Sequence, residues 1–354
     1  MATIVVPTSS HAILVYGDQD YNLVGNQNEF AQVGLQYAGI VVGGTNGYAT
    51  FPDGTYKASN VAWPISPNWA LRANHTTGGY NDGYEIAYGG TLHSVLETRR
   101  IGNSDLTLIR VDQPFTSYAK MFDPSLGNEV DREVVMIGAT GIVKDHTSPF
   151  TTNNGTFMNG WNRREVAPND VKRLNWGRNQ IESILANVEN TQVLYTTFDK
   201  ATLDNGTPNP RHIGSDEANT HFGDSGGGVF IKQNGEWRLA GVNLAVDAVY
   251  RTQTSSEYVL GGIYDARNLW GDFYIDENNP QLGTVRRIIT GSDPVPLGNY
   301  ASRVAGYRTQ IDNMTGQTRG LGAVTVPEAG TAPLALLGIV GGAFAAFVRR
   351  HRAD

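Results

Sequence analysis

Short apolar runs, spread evenly along the chain and separated by turn residues, restrict the fold of this sequence more than any other feature. Apolar and polar positions alternate within the runs, which is the pattern of a β-strand with one buried face. Gly, Asn, Asp and Pro stand between them, and the chain contains 42 glycines. The even spread leaves no alternation of strands with helices, so the sequence predicts an all-β fold. The predicted strands are 30–36, 39–42, 106–111, 133–137, 193–197, 228–231 and 237–244.

Two segments are predicted to be helical. One helix is expected near 164–189, and a second near 300–313, where Val304, Tyr307 and Ile311 fall on one helical face. Strands in two groups with a closing helix fit a double β-barrel. A chain of 354 residues has room for one large two-lobed domain or for two domains.

Composition excludes several classes of function. The net charge of −7 provides no basic surface for a phosphate backbone, so we expect no nucleic acid partner. The absence of cysteine rules out thiol catalysis, disulfides and cysteine-ligated zinc. No metal-binding histidine spacing occurs, so we assign no metal and no cofactor. We expect four of the histidines, His93, His146, His212 and His221, to lie on the surface or in loops.

The C-terminal segment is predicted to cross a membrane. Residues 329–348 carry no charge, and a helix of that length would span about 30 Å, roughly one hydrocarbon core. Arg349, Arg350 and Arg352 follow, and such cations hold their end of a span in the cytoplasm. The alternative is a buried core helix. With the V-P-E sequence at 326–328, this order resembles the PEP-CTERM sorting signal of Gram-negative bacteria, which implies an exosortase-type sorting enzyme as a partner.

The first residues allow two interpretations. They contain an apolar run and a small-residue site at Ser10, His11 and Ala12, but no positively charged start. They are either the remnant of a signal peptide or an ordinary first strand. Together with the C-terminal segment, the first interpretation predicts an exported protein of the cell envelope or surface, anchored through 329–348 or released after sorting.

A glycine-rich motif, G-D-S-G-G at 223–227, is the strongest chemical signal. A serine needs a base to remove its proton, and the oxyanion that its attack creates needs fixed N–H donors. The motif also matches the G-x-S-x-G elbow of α/β-hydrolases, in which the histidine follows the serine. The sole histidine after Ser225 is His351, among the terminal arginines, so that alternative fails. The base must lie upstream.

Two upstream segments supply partners for the serine in the chain order His, Asp, Ser. Residues 65–75 read I-S-P-N-W-A-L-R-A-N-H, and residues 105–111 read D-L-T-L-I-R-V. With G-D-S-G-G, they resemble the three motifs of trypsin/chymotrypsin-like serine proteases. The resemblance covers about 13–313, with Arg72 and Asn74 replacing the usual small or hydroxyl residues, and it leaves 148–190 and 251–280 as insertions. It implies a chymotrypsin-like double six-stranded β-barrel with a C-terminal helix, here followed by a single transmembrane helix.

The resemblance also implies a role for each matched residue. Ser225 is the nucleophile, His75 the general base, and Asp105 the group that orients the histidine. The backbone N–H groups of Gly223 and Ser225 form the oxyanion hole. Taken singly, these residues also fit a buried histidine, a strand cap and a turn serine; their joint occurrence favours catalysis.

Specificity and activation are implied by neighbouring positions. In trypsins, the residue six positions before the nucleophile is an aspartate; here it is Asn219, followed by Thr220, which predicts an uncharged pocket floor and neutral substrate side chains. Asp224 needs a cationic partner if it is buried. In the family, that partner is the α-ammonium of a mature N-terminus, and Ile13 directly follows the small-residue site. The run at 40–44 is a second candidate for that terminus.

We therefore divide the chain into a signal-peptide remnant at 1–12, a protease domain at 13–316, a linker with the V-P-E motif at 317–328, and the anchor at 329–354. The predicted function is that of an exported serine endopeptidase acting on proteins or peptides. The alternative is a non-catalytic surface binding or adhesion protein on a protease-like scaffold.

Overall fold

The computed structural model describes most of the chain between residues 13 and 317. The predicted signal-peptide remnant, the V-P-E motif and the anchor at 329–354 lie outside the described residues. Within the described part, no helix combines the length and the apolar character needed to cross a membrane. The described ranges are 13–16, 29–43, 61–76, 84–138, 142–145, 150–152, 155–157, 159–165, 174–221, 224–247, 250–251, 261–274 and 284–317.

The described part is mostly β, as the sequence predicted. Its helices are α1 (Glu29–Tyr37) and α2 (Arg308–Thr315), with 3-10 turns at Pro124–Leu126 and Val304–Tyr307. The strands are β1 (Leu14–Val15), β2 (Gly39–Gly43), β3 (Val61–Ser66), β4 (Trp69–Ala73), β5 (Tyr84–Tyr88), β6 (Thr91–Arg100), β7 (Leu106–Val111), β8 (Glu133–Gly138), β9 (Ile142–Asp145), β10 (Phe150–Thr152), β11 (Gly155–Phe157), β12 (Gly160–Glu165), β13 (Asn175–Gln180), β14 (Ser183–Val188), β15 (Thr191–Thr197), β16 (Ala218–Asn219), β17 (Gly228–Gln233), β18 (Glu236–Val246), β19 (Tyr250–Arg251), β20 (Gly261–Ile263), β21 (Trp270–Tyr274), β22 (Thr284–Ile288) and β23 (Gly298–Arg303).

Six strands close the first unit into a barrel. Their order is β2, β3, β4, β7, β6, β5, and each observed pairing is antiparallel. Alternate residues point inward, which fills the barrel with small and branched side chains. Both the histidine and the aspartate segment belong to this barrel, because β4 and β7 are neighbours in it. The buried interior side chains include Val41, Ala62, Ala70, Ile86, Ile109 and Val111.

The second unit is built on a larger sheet than the sequence predicted. Seven strands follow one another in the order β13, β8, β17, β18, β23, β15, β14, whereas the resemblance implied a six-stranded barrel. The edge strand β14 joins β15 through a tight turn in which Glu189 and Asn190 have positive φ. Around this sheet lie the short pair β1 and β16, the pair β10 and β11, and two three-stranded sheets, β20-β12-β9 and β19-β21-β22.

A shared apolar cluster joins the two units. Trp63 of β3 is fully buried, and its ring meets Phe230 of β17 edge-on, with 5.1 Å between the ring centroids. Gly228 lies in this contact, where a Cβ would come within 2.7 Å of both aromatic rings. Val304 and Ile311, from the C-terminal turn and α2, complete the same cluster. Because β17 directly follows the serine motif, this packing fixes where that motif meets the first barrel.

Two secondary-structure predictions are wrong. Residues 30–36 form helix α1 rather than a strand, because Phe30, Val33 and Tyr37 share one helical face. Phe30 packs 5.2 Å from Trp176 and Tyr37 packs 6.0 Å from Phe230, measured between ring centroids, so this face completes the shared cluster. The helix expected near 164–189 is absent from the described part of that segment, which contains β13 and β14 and the end of β12.

Other sequence-based predictions fare better. The remaining predicted strands are confirmed within β2, β7, β8, β15, β17 and β18. The predicted C-terminal helix is correct only from Val304 onward, since the preceding residues extend β23. Of the histidines expected on the surface or in loops, His93 contradicts the prediction because it is buried within β6, whereas His221 is buried but lies in the loop after β16. The His93 Nδ1 is 2.9 Å from the Gln113 carbonyl, while His146 lies outside the described residues.

One buried ion pair ties β23 to the segment before β8. The Glu129 side chain is fully buried and accepts hydrogen bonds from Arg303 at 2.7 Å and 3.0 Å, which makes the pair bidentate. We expect Arg303→Met to lower the free energy of unfolding by about 3 to 5 kcal/mol, because it leaves a buried carboxylate without its cation.

Denaturant titration of the purified protein measures this effect. The control is Lys120→Met, which removes a pair with Glu236 in which both side chains are about half exposed. The expected loss there is below about 1 kcal/mol. Equal effects of the two substitutions would contradict a special role for the buried pair.

Candidate active site

The ends of two neighbouring strands bring His75 and Asp105 together. Ala73 of β4 pairs with Leu106 of β7, so the turn after β4 faces the residue before β7. The His75 backbone N–H donates to Asp105 Oδ1, and His75 Nδ1 lies 2.7 Å from Asp105 Oδ2. A carboxylate there favours the tautomer with the proton on Nδ1, which leaves Nε2 as a proton acceptor.

The second unit holds Asp105 from behind. Its backbone N–H donates to Thr191 Oγ1 at 2.8 Å, and Thr191 is fully buried at the start of β15. The Asp105 backbone carbonyl accepts a hydrogen bond from the Asn74 N–H at 3.0 Å. Thr107 donates its hydroxyl proton to the Asn74 side chain, which ties the histidine turn to β7. Asp105 is itself buried, whereas the His75 side chain is 39% exposed and therefore accessible to a reactant.

The serine lies on a tight turn before β17. The Gly227 N–H donates to the Asp224 carbonyl at 2.9 Å, which closes the turn around Ser225. Gly226 has a φ of 85°, in the left-handed region that favours glycine. Its N–H donates to the Asn243 carbonyl at 3.0 Å, so β18 supports the turn. Ser225 is half-buried.

This turn meets the histidine turn across the boundary of the two units. The Trp63 indole N–H donates to the Gly226 carbonyl at 2.8 Å. A Cβ on Gly226 would lie 3.9 Å from Thr76 Oγ1 and 4.0 Å from Ala73 Cβ, the residues on either side of the histidine segment. His75 and Asp105 are thus in direct contact, and the turn of Ser225 packs against the turn that carries His75. Gly223, the other predicted oxyanion-hole residue, lies outside the described residues.

Ile13 and Asp224 converge on Gly138. Both residues are buried, and the Asp224 Oδ2 accepts from the His221 N–H at 2.8 Å. A Cβ on Gly138 would lie 2.2 Å from Asp224 Oδ1 and 2.8 Å from Ile13 Cδ1, so only glycine fits between them. Strand β1 holds Ile13 in place, since Leu14 pairs with Asn219 of β16. The two residues predicted to form an activation pair are therefore near neighbours.

The predicted pocket residues belong to a neutral hydrogen-bond network. Thr220 donates from its N–H and its hydroxyl to Asn299 Oδ1, at 2.8 Å and 2.9 Å. Asn299 in turn donates to the Thr196 hydroxyl. Asn219 is fully buried, and its amide donates to the Thr220 carbonyl, while its Oδ1 has no hydrogen-bond partner among the described residues. Asp247, the residue directly after β18, lies near this network. Its carboxylate accepts hydrogen bonds from the Gly298 N–H and the Tyr300 hydroxyl.

A group of buried acids supports the strand that leads into this network. Glu217, one residue before β16, is fully buried, and its carboxyl accepts from the N–H groups of Asp199 and Ile213 at 2.8 Å each. Burial, together with the Asp199 carboxylate, raises the pKa of Glu217 to about 9. Burial also raises the pKa of Glu182, which bonds to Thr197 and Arg211. Glu217 is therefore protonated at neutral pH.

Several residues of the site escape sequence reasoning. In the sequence, Arg72 and Asn74 stand out only as departures from the pattern of the resemblance, and nothing there distinguishes Thr191, Glu217 or Asp247. Arg72 alone carried a usable signal, because it is a charged residue within the buried strand 69–73. The partners of the others lie far away along the chain.

Replacing Glu217 by glutamine tests the protonated state. The folded pKa is above the ordinary value, so the stability that the protonated group contributes is complete below about pH 4.5 and is lost as pH rises toward about 9. In that interval the parent loses about 1.4 kcal/mol of unfolding free energy per pH unit through this group. We expect Glu217→Gln to lack this slope and hence to gain stability relative to the parent between pH 5 and pH 8.

Denaturant titrations at pH 5, 6.5 and 8 measure the difference between parent and variant. Glu236→Gln is the control, because Glu236 is an exposed acid with a lowered pKa, next to Lys120. A Glu217→Gln protein whose stability followed pH as steeply as the parent would contradict a buried, protonated Glu217.

Comparisons with known proteins show likeness to solved structures but not to known sequences. No protein-family model matches the chain, and no curated protein sequence matches it. A solved structure described as "Kallikrein-related peptidase 10 complex with Zn2+" is similar at 10% sequence identity with a TM-score of 0.38. The match covers 80% of this chain and 96% of that chain.

Proposed function

We propose that this protein is a serine endopeptidase of the trypsin/chymotrypsin type. The observation that carries the proposal is the double contact of His75 with Asp105, beside the glycine turn of Ser225. A base with a fixed tautomer next to a serine on a tight turn is the arrangement that nucleophilic acyl transfer requires. The closed first barrel and the seven-stranded second sheet support a chymotrypsin-like scaffold.

In the proposed reaction, Ser225 Oγ attacks the peptide carbonyl carbon while His75 Nε2 takes its proton. Asp105 accepts the Nδ1–H bond and stabilises the imidazolium. The oxyanion receives hydrogen bonds from the N–H groups of Ser225 and Gly223. When the C–N bond breaks, His75 returns the proton to the leaving amine, and a water molecule then hydrolyses the acyl-enzyme by the same steps.

The pocket network supports a preference for neutral substrate side chains. Asn219, Thr220 and Asn299 are uncharged, and their polar groups are largely engaged with one another. These three residues carry no carboxylate, and the nearby Asp247 carboxylate already accepts from the Gly298 N–H and the Tyr300 hydroxyl. We also propose that the protein is exported and anchored through 329–348. The support is the charge-free segment itself and the arginines that follow it.

Ser225→Ala tests the catalytic role. We expect peptide hydrolysis to fall by at least about 10³-fold, because the nucleophile is lost while the turn needs only its backbone. The assay uses a peptide library and a fluorophosphonate probe, which reacts only with an activated serine. Ser125→Ala, at an exposed serine away from the site, is the matched control.

The same assay separates the two candidate functions. If the parent neither reacts with the probe nor hydrolyses peptides, the endopeptidase proposal is rejected. That result would favour a non-catalytic binding or adhesion protein. Hydrolysis by Ser225→Ala at the parental rate would remove Ser225 from the mechanism.

We further propose that the α-ammonium of a chain beginning at Ile13 pairs with Asp224. The support is the close approach of both residues to Gly138 and the burial of both. An ammonium at this position would compensate the buried carboxylate and hold the turn of Ser225 in its active form.

Two preparations test this pairing, one beginning at Ile13 and one retaining residues 1–12. We expect the shorter form to have at least about 10-fold higher kcat/KM, since an unordered oxyanion hole costs about that much or more. Asp224→Asn should abolish the difference between the two forms. Equal activity of the two parental forms would reject the Ile13 ammonium.

A further inference from the structure

Arg72 occupies an unusual place for a charged residue. It lies in β4, where it pairs with Thr107 of β7, and its side chain is fully buried. Strand alternation puts it on the same face as Ala70, which belongs to the interior of the first barrel. Arginine is almost never fully buried without specific polar partners. Its contacts therefore indicate what it does there.

The Arg72 guanidinium is hydrogen-bonded to the turn that carries His75. One terminal nitrogen of Arg72 donates to the Thr76 carbonyl at 2.9 Å and to the Thr76 hydroxyl oxygen at 2.7 Å. The Thr76 hydroxyl donates its own proton to the Ala73 carbonyl at 2.8 Å. Arg72 and Thr76 thus close the turn 73–76 from inside the barrel, with His75 within it.

Thr76 is also the point where this turn reaches the serine turn. Its Oγ1 lies 3.9 Å from the position of a Cβ on Gly226, the residue directly after Ser225. One of the two Arg72 bonds thus ends on the Thr76 atom that lies near the backbone of Gly226. A shift of Thr76 would therefore change the packing of the histidine turn beside Gly226.

We propose that Arg72 is a positioning residue for the proposed peptidase reaction. It holds the histidine turn, through Thr76, at the distance from the serine turn that proton transfer requires. Asp105 fixes the tautomer and the orientation of the His75 ring, whereas Arg72 adds a second constraint on the same turn at Thr76. The inference depends on the proposed function.

The proposal predicts how the kinetic constants separate. Arg72 is buried and contacts the turn rather than a substrate, so its loss should lower kcat and leave KM unchanged. A displacement of about 1 Å at a reacting group lowers rates by about 10²-fold. For Arg72→Met we expect kcat to fall about 10- to 100-fold, with KM within about twofold of the parent.

Arg72→Lys is the conservative variant. An ammonium of similar reach can donate to both Thr76 oxygens from one nitrogen, as the guanidinium does. We expect kcat of Arg72→Lys within about threefold of the parent, although lysine does not reproduce the planar group. Thr76→Val removes the hydroxyl but keeps the carbonyl, so its kcat should fall between those of the Lys and Met variants.

The experiment measures kcat, KM, the fluorophosphonate labelling rate and the melting temperature of each variant. The double variant Arg72→Met/Thr76→Val should be no slower than Arg72→Met by more than about threefold, because both changes act through one contact. Arg308→Met is the control. It removes a partly buried arginine that bonds to Asp312 within α2, and it should lower the melting temperature without changing kcat.

Three results would overturn the proposal. One is a folded Arg72→Met protein with the parental kcat; another is a loss in Arg72→Lys as large as that in Arg72→Met. If Arg72→Met does not fold, Thr76→Val and Arg72→Lys carry the test, and parental kcat in Thr76→Val rejects the proposal. A parent that neither hydrolyses peptides nor reacts with the probe rejects the proposed function itself, which distinguishes the two failures.

Discussion

The hydrogen bond from the Trp63 indole to the Gly226 carbonyl is the interaction on which the site depends. It crosses between the first barrel and the second sheet, and it ends on the residue after Ser225. The surrounding cluster excludes water, so the bond has no competing partner and an unpaired carbonyl there would be costly. His75 and Asp105 belong to the barrel, and Ser225 belongs to the second unit. The distances from Ser225 to the other two residues are therefore held only as firmly as this contact between the units.

Buried polar groups fix the alignment of the two units, because apolar packing alone would allow the units to shift against each other. The Thr191 hydroxyl oxygen accepts from the Asp105 N–H across the boundary of the units, and Arg303 donates from Nε and one Nη to the two Glu129 carboxylate oxygens. Such groups lose free energy when their partners shift, so the Asp105–Thr191 bond fixes one register of the two units, and the Arg303–Glu129 pair fixes β23 against the segment before β8. Hydrophobic burial brings the units together, whereas these bonds decide which residues face each other.

The sequence was a good guide where structure is local and a poor one where it is not. Strand 106–111 and the G-D-S-G-G turn follow from alternation and from glycine chemistry, and both can be recognised without the fold. The strand prediction for residues 30–36 is wrong because a short apolar segment fits both periods, and it is the contacts of Phe30 with Trp176 and of Tyr37 with Phe230 that favour the helix. The roles of Thr191 and Glu217 could not be predicted, because their partners are brought together only by the fold.

One short segment, 217–225, connects four features that are usually considered separately. It begins at the protonated Glu217, continues through β16 with its pairing to Leu14, passes the pocket residues Asn219 and Thr220, and ends at the serine turn. The Tyr16 N–H donates to the Glu217 backbone carbonyl, which extends the β1 pairing to the backbone of that residue. Release of β1 would therefore break the hydrogen bond to the Glu217 backbone, remove the strand beside Asn219 and take Ile13 away from Asp224 in a single event. Docking of β1, order in the pocket and support of the nucleophile are consequences of the same few hydrogen bonds, so they are expected to form and to be lost together.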